Sequence, residues 1–312
     1  MRNSAPFLAE FADGPDGGHA LWTTAADGVR LRVALWPMRG AKGTVLLFPG
    51  RTEYAEKYGR AASEFARRGY AMATIDWRGQ GLSERLIDDP MTGHVFDFKD
   101  YQTDVHALKA AVSEAGMPGE TYLVAHSMGG CIGLRSLQNG LGVRAAAFSA
   151  PMWGIQMPAQ KRPLAWAVSW AWPKLGYGEN YAPGTSATSY AATQPFEGNT
   201  LTRDPEMYAW MQAQTKALPG LALGGPSLHW LYQALSETRR LRALAPPPLP
   251  ALVHVGTAEK TVDVASVAEV MSGWKNGALT YVHDAEHEIM MELKPVRDAF
   301  FDSATALFDR AA

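Results

Sequence analysis

The sequence has one cysteine, Cys131, in 312 residues, so no intrachain disulfide can form and a disulfide-stapled fold is excluded. Cys131 itself reads as a small buried apolar side chain. Charge of neither sign is in excess: 29 Lys and Arg stand against 31 Asp and Glu, a formal net charge of −2. Without a broad basic field, nucleic acid is a poor candidate partner. No run reaches the about 18 apolar residues of a membrane-spanning helix. Met1-Arg2-Asn3-Ser4 leads into Pro6, Glu10 and Asp13, which interrupt any secretory apolar core. The expectation is a cytoplasmic protein, with transient contact at the inner face of a membrane left open. Histidines 19, 94, 106, 229 and 254 show no metal-ligand spacing. Neither a metal nor another cofactor is expected. Repeats and low-complexity tracts are absent, and nothing in the composition sets an oligomeric state.

What is present is an alternation of short apolar runs and amphipathic segments. Residues 19–24 and 29–36 read as strands around a tight Asp27-Gly28 turn. Thr44 to Phe48 is wholly apolar after its first residue, as a central parallel strand requires. Segments 57–68, 101–115 and 130–138 read as helices; 70–75, 121–125 and 143–149 read as strands. At Pro151 the pattern breaks, and residues 152–242 are rich in Trp, Tyr, Pro, Gly and Ala with only short helical stretches. Pro246-Pro247-Pro248 and Pro250 punctuate the return to strand, helix, strand and a closing helix over 295–308. This predicts a mostly parallel α/β core (1–151 and 243–312) interrupted by a mainly helical lid (152–242).

The chemistry concentrates in Ala125-His126-Ser127-Met128-Gly129, where an apolar strand feeds a serine and then a helix. This is the strand–turn–helix setting of a nucleophile elbow, with Ala125 in place of the usual first glycine. Small residues two before and two after the serine keep the turn free of collisions. A serine hydroxyl needs a base, and the base needs a third group to hold its tautomer. In hydrolases built this way the chain order is serine, acid, histidine. His287, between the last strand and the closing helix, is the expected base; His283 reads as packing or capping. Glu259 and Asp263 lie on the loop after the preceding strand, with Glu259 favoured as the acid and Asp263 as a helix cap and the alternative. His126 is expected to pack, its side chain turned away from the attack line. The N–H groups of Arg51 and Met128 are the candidate oxyanion donors, with Gly50 allowing the turn that presents Arg51. Asp76-Trp-Arg-Gly-Gln-Gly-Leu-Ser83 lacks a P-loop lysine and reads as a brace for the site.

Phe48-Pro-Gly-Arg-Thr-Glu-Tyr54, Asp76 to Ser83, Ala125 to Gly130, Gly256-Thr-Ala-Glu259 and His287-Glu288 together resemble the α/β-hydrolase family. More narrowly they resemble its lysophospholipase L2 and monoacylglycerol lipase branch, grouped with the serine aminopeptidase-like hydrolases. Pro49 stands where many relatives carry histidine. Glu259 stands where most carry aspartate, although lysophospholipase L2-like sequences also have glutamate. The resemblance implies ester cleavage through an acyl-enzyme. Ten tryptophans fit an apolar substrate such as a lysophospholipid or monoacylglycerol. Gly50, Trp153, Trp166 and Trp170 are the candidate substrate-binding residues. Trp166 and Trp170, four apart beside Lys161-Arg162, either meet a lipid–water interface or pack beneath the lid. The rival activities are an aminopeptidase, which would hold a free amine on Glu179, Glu197 or Glu206, a haloperoxidase-like or acyltransferase use of the same triad, and a non-catalytic binding protein.

Overall fold

A computed structural model describes residues 3–312. Nine strands form one sheet: β1 (Ser4–Ala5), β2 (His19–Thr24), β3 (Arg30–Trp36), β4 (Thr44–Phe48), β5 (Ala71–Asp76), β6 (Thr121–His126), β7 (Ala146–Ser149), β8 (Ala251–Gly256) and β9 (Gly277–Val282). Their spatial order is β1-β2-β3-β5-β4-β6-β7-β8-β9. The first three join antiparallel and the rest pair in parallel. The helices are α1 (Ala9–Ala12), α2 (Gly59–Arg67), α3 (Tyr101–Glu114), α4 (Met128–Gln138), α5 (Arg162–Lys174), α6 (Tyr190–Thr193), α7 (Pro205–Ala217), α8 (Leu228–Arg242), α9 (Val264–Ser272) and α10 (Lys294–Ala311).

Central strands are buried on both faces, which is why β4 and β6 read as continuous apolar runs. The edge strand β9 alternates instead. α3, α4, α8 and α9 cover one face and α2 and α10 the other. Phe48 and Phe148, both fully buried, each contribute about 2 kcal/mol by leaving water. Pairing in β7 begins three residues later than the apolar pattern suggests, since Val143 to Ala145 are still loop. β1 is a two-residue edge strand that carries no apolar alternation to announce it. Among the described residues no helix is long and apolar enough to cross a membrane.

Four helices, α5 to α8, stand between β7 and β8. α8 is anchored in the core through Trp230, Ala234 and Leu241 and through an Arg135–Glu237 ion pair of 2.5 Å. α7 is tied to the N-terminal segment by Trp210, whose indole N–H donates to the Phe11 carbonyl at 2.8 Å. α5 rests on α8, with Trp166 edge-on to Tyr232, and leaves Leu164, Trp170, Trp172 and Leu175 exposed.

Candidate active site

Ser127 sits between β6 and α4 with φ 50° and ψ −118°, a conformation that costs a non-glycine residue about 1–3 kcal/mol. The turn survives because its neighbours leave no room for an alternative. A Cβ on Gly129 would lie 2.1 Å from the Phe48 carbonyl oxygen, and one on Gly130 would lie 2.5 Å from Pro151 Cβ. Ala125, fully buried, fits as a methyl where the usual motif has glycine.

Three loops meet at this turn. His287 Nε2 lies 2.9 Å from Ser127 Oγ, and His287 Nδ1 lies 2.7 Å from Glu259 Oε2. The second Glu259 oxygen accepts N–H bonds from Thr261 at 2.6 Å and Val262 at 3.1 Å. Burial opposes ionisation of this carboxyl, but His287 and the N–H donors outweigh it and hold its pKa below the ordinary value. The loops that carry Glu259 and His287 are laced together: a Cβ on Gly256 would lie 1.9 Å from the Ala285 carbonyl oxygen. Asp263 is elsewhere. It caps α9, accepting from Ala265 N at 3.2 Å and from Ser266 Oγ at 2.8 Å.

Met128 directly follows Ser127 and Arg51 lines the cavity beside it; among the described residues neither backbone N–H has a protein acceptor. Gly50 lies behind the serine, where a Cβ would sit 3.1 Å from Ser127 Cβ. Its own N–H is committed to Glu53. The glycine-rich loop after β5 braces this segment: Trp77 donates to the Pro49 carbonyl at 2.9 Å and Gln80 to the Gly50 carbonyl at 2.8 Å.

A cavity of about 620 Å³ opens over Ser127 and His287, within the range of ligand pockets. Met152, Ile155, Leu201, Met211, Leu223 and Trp230 form its apolar wall. Gly50, Trp153, Trp166 and Trp170 do not line it, which corrects the sequence expectation. Trp153 is core: fully buried, it donates to the Gly130 carbonyl at 3.0 Å and packs on Phe148 and Trp274. Trp166 packs on Tyr232, and Trp170 is 49% exposed with Lys174 Nζ 3.6 Å from its ring centre. The tryptophan that faces the cavity is Trp230, which carries no motif; its only sequence signal is its place near the start of a helix ending in Arg239, Arg240 and Arg242.

The expectation that His126 merely packs is also corrected. Its ring centre is 4.7 Å from that of His287, it lines the cavity floor, and its Nε2 is 3.3 Å from Glu288 Oε2. Burial would lower its pKa, but Glu288 and Glu53 outweigh burial and raise it. Lys57 Nζ bridges Glu53 and Glu288, at 2.5 Å from the latter, and Tyr58 donates to Glu53. Glu53, His126 and Glu288 are close enough together to bind a cation. However, the Lys57 ammonium already supplies the positive charge between the carboxylates, so the set does not fit a resident metal. His283 neither packs nor caps: its side chain is 89% exposed beside Asp284.

Residues 39–294 match the serine aminopeptidase S33 family. The chain belongs to it. Lysophospholipase L2 of Escherichia coli K12 is 29% identical over 296 residues, spanning 92% of this chain and 86% of that protein. A probable lysophospholipase L2 of Haemophilus influenzae is 29% identical over 269 residues, 85% of this chain and 83% of its own. In fold the chain is similar to a soluble variant of the monoglyceride lipase of Saccharomyces cerevisiae, solved with a substrate analogue. The TM-score is 0.72 at 18% identity, covering 93% of this chain and 94% of that one. The chain is an α/β-hydrolase, a serine hydrolase of the ester-cleaving kind.

Proposed function

We propose that the chain cleaves monoacyl lipid esters, lysophospholipids or monoacylglycerols, through an acyl-enzyme on Ser127. One observation carries this reading: the continuous Ser127–His287–Glu259 contact path, 2.9 Å and 2.7 Å, opens into a largely apolar cavity. Ser127 Oγ attacks the ester carbonyl while His287 Nε2 takes its proton, and Glu259 stabilises the resulting imidazolium. The N–H groups of Arg51 and Met128 stabilise the oxyanion, at the N-terminus of α4 where the helix dipole adds to them. His287 then protonates the leaving alcohol, and water repeats the sequence on the acyl-enzyme. Residues 152–242 serve as the lid, and the exposed face of α5 makes transient contact with the membrane that holds the substrate. That contact suits a cytoplasmic protein acting at the inner face of a membrane.

An aminopeptidase needs a carboxylate free to hold a substrate ammonium. Glu179, Glu197 and Glu206 do not line the cavity, Glu53 and Glu288 are already engaged by Lys57, Tyr58 and His126, and the cation of Arg51 would repel the amine. Purified enzyme and Ser127→Ala should be compared on p-nitrophenyl esters of rising chain length, a lysophospholipid, a monoacylglycerol and proline p-nitroanilide. Ser127-dependent hydrolysis favouring longer acyl chains is the expected outcome. Cleavage of the anilide alone would move the assignment to aminopeptidase.

The two acid candidates separate by substitution. Glu259→Gln keeps the shape but removes the charge that holds the His287 tautomer, and should lower kcat by about 10³- to 10⁴-fold. Asp263→Asn should leave kcat within about threefold and stability almost unchanged, since asparagine caps as well as aspartate, whereas Asp263→Ala should cost about 1 kcal/mol. The reverse ranking in steady-state kinetics would exchange their roles.

A further inference from the structure

Arg51 carries a cation for which the ester reaction, as described, has no use. Its backbone N–H serves the serine, yet its side chain also lines the cavity. Glycine at position 93 leaves room for it, since a Cβ there would lie 3.2 Å from Arg51 Nη1. One guanidinium N–H donates to the Gly224 carbonyl at 2.8 Å, and the group lies 5.7 Å from the Trp230 ring centre. A guanidinium has five N–H donors, and among the described residues no carboxylate pairs with this one. Arg32 is held by Glu56 and Asp76, Arg78 by Asp27 and Asp104, and Arg135 by Glu237, while Arg85, which also lacks a carboxylate, spends its donors on the Ser83, Pro90 and Gly220 carbonyls away from the cavity. Burial lowers the Arg51 pKa to about 10, which leaves it charged at neutral pH. No carboxylate of the protein offsets the desolvation of that charge; a planar fork of donors matches a carboxylate or a phosphate, and of the monoacyl esters proposed above only the lysophospholipid brings such an anion.

We propose that the Arg51 guanidinium is a specificity-determining group that binds a phosphate of the substrate inside the cavity, so that the enzyme prefers phosphate-bearing monoacyl lipids over neutral monoacylglycerols. This rests on the ester-hydrolase reading above and sharpens it. The neutral glyceride fills the same acyl wall but leaves the cation unpaired. The Ser186 hydroxyl lines the same cavity and accepts from Thr188 N at 3.2 Å, which leaves its proton for a remaining phosphate oxygen.

Two lipids that differ only in the phosphate, 1-acyl lysophosphatidate and the 1-monoacylglycerol of the same chain, isolate the effect. In Arg51→Gln the ratio of kcat/KM for the first to that for the second should fall about 10- to 100-fold, mainly through KM of the phosphate lipid. Arg51→Lys should recover part of the ratio. Equal losses on both lipids would mean that Arg51 only holds Gly224 and Trp230 in place, and would overturn the proposal. Calorimetry on Ser127→Ala, free of turnover, supplies the second arm with glycerol 3-phosphate and inorganic phosphate as probes. Saturable binding of glycerol 3-phosphate that disappears in Ser127→Ala/Arg51→Gln supports the headgroup assignment; binding of inorganic phosphate alone overturns it. If glycerol 3-phosphate binds but the wild type cleaves no ester, the ester reading fails and the anion site stands.

Discussion

Ser127→Ala is expected to lower kcat on a short p-nitrophenyl ester by about 10⁵- to 10⁶-fold, with little change in thermal unfolding. The size follows from the chemistry. Alanine removes the atom that attacks, so the covalent route is lost, and only the oxyanion donors and the cavity remain to assist water. Residual catalysis of about 10³ to 10⁴ over the uncatalysed reaction is what such binding alone provides. The fold should hold because the backbone, not the hydroxyl, makes the turn: Ser127 N donates to the Ser149 carbonyl at 3.1 Å and the Ser127 carbonyl accepts from Met152 N at 2.8 Å. His287→Ala should cost a similar amount, and the double variant little more, since the two act as one unit. A fluorophosphonate probe should label the wild type and not Ser127→Ala. A loss smaller than about 100-fold, or labelling that persists, would place the nucleophile elsewhere.

The core of the fold could be read from the chain because local and global signals agree there. A strand buried on both faces has to be apolar throughout, as Val45 to Phe48 and Tyr122 to Ala125 are, and glycines 129 and 130 mark where helix α4 meets neighbouring backbone. Chain order then directs attention to Glu259 and His287. What the sequence hid are contacts between distant segments. Lys57 and Glu288 are 231 residues apart, so nothing local announces that one neutralises the other beneath His287. His126 looked like packing because its charged neighbours come from two other loops. The tryptophans misled for a related reason. Composition counts them, but whether a ring faces the cavity (Trp230), the core (Trp153) or solvent (Trp170) is set by tertiary packing, which the spacing of Trp166 and Trp170 along α5 does not show.

The second large effect concerns that hidden cluster. Lys57→Met should destabilise the protein by about 3–5 kcal/mol, because it leaves Glu53 and Glu288 buried without their shared cation. In the wild type, burial works against the Lys57 charge but Glu288 and Glu53 outweigh it and raise its pKa, so the ammonium persists far above neutral pH. Without it, the groups left are two carboxylates, the Tyr58 hydroxyl on Glu53 and the His126 ring 3.3 Å from Glu288. At least one carboxyl of the variant must then have a folded pKa above its unfolded value of about 4.3. The sign follows: such a group favours folding when protonated, so the deficit opens above the unfolded pKa and grows as pH rises through the folded one. The stability gap between wild type and variant, measured by urea unfolding, should therefore narrow as pH is lowered from about 8 toward 5.5. Replacing both carboxylates as well, in Lys57→Met/Glu53→Gln/Glu288→Gln, should recover part of the loss and flatten that pH dependence. A gap below about 1 kcal/mol, or one that does not change with pH, would mean that water reaches the cluster and that Lys57 does not hold the charges under His287.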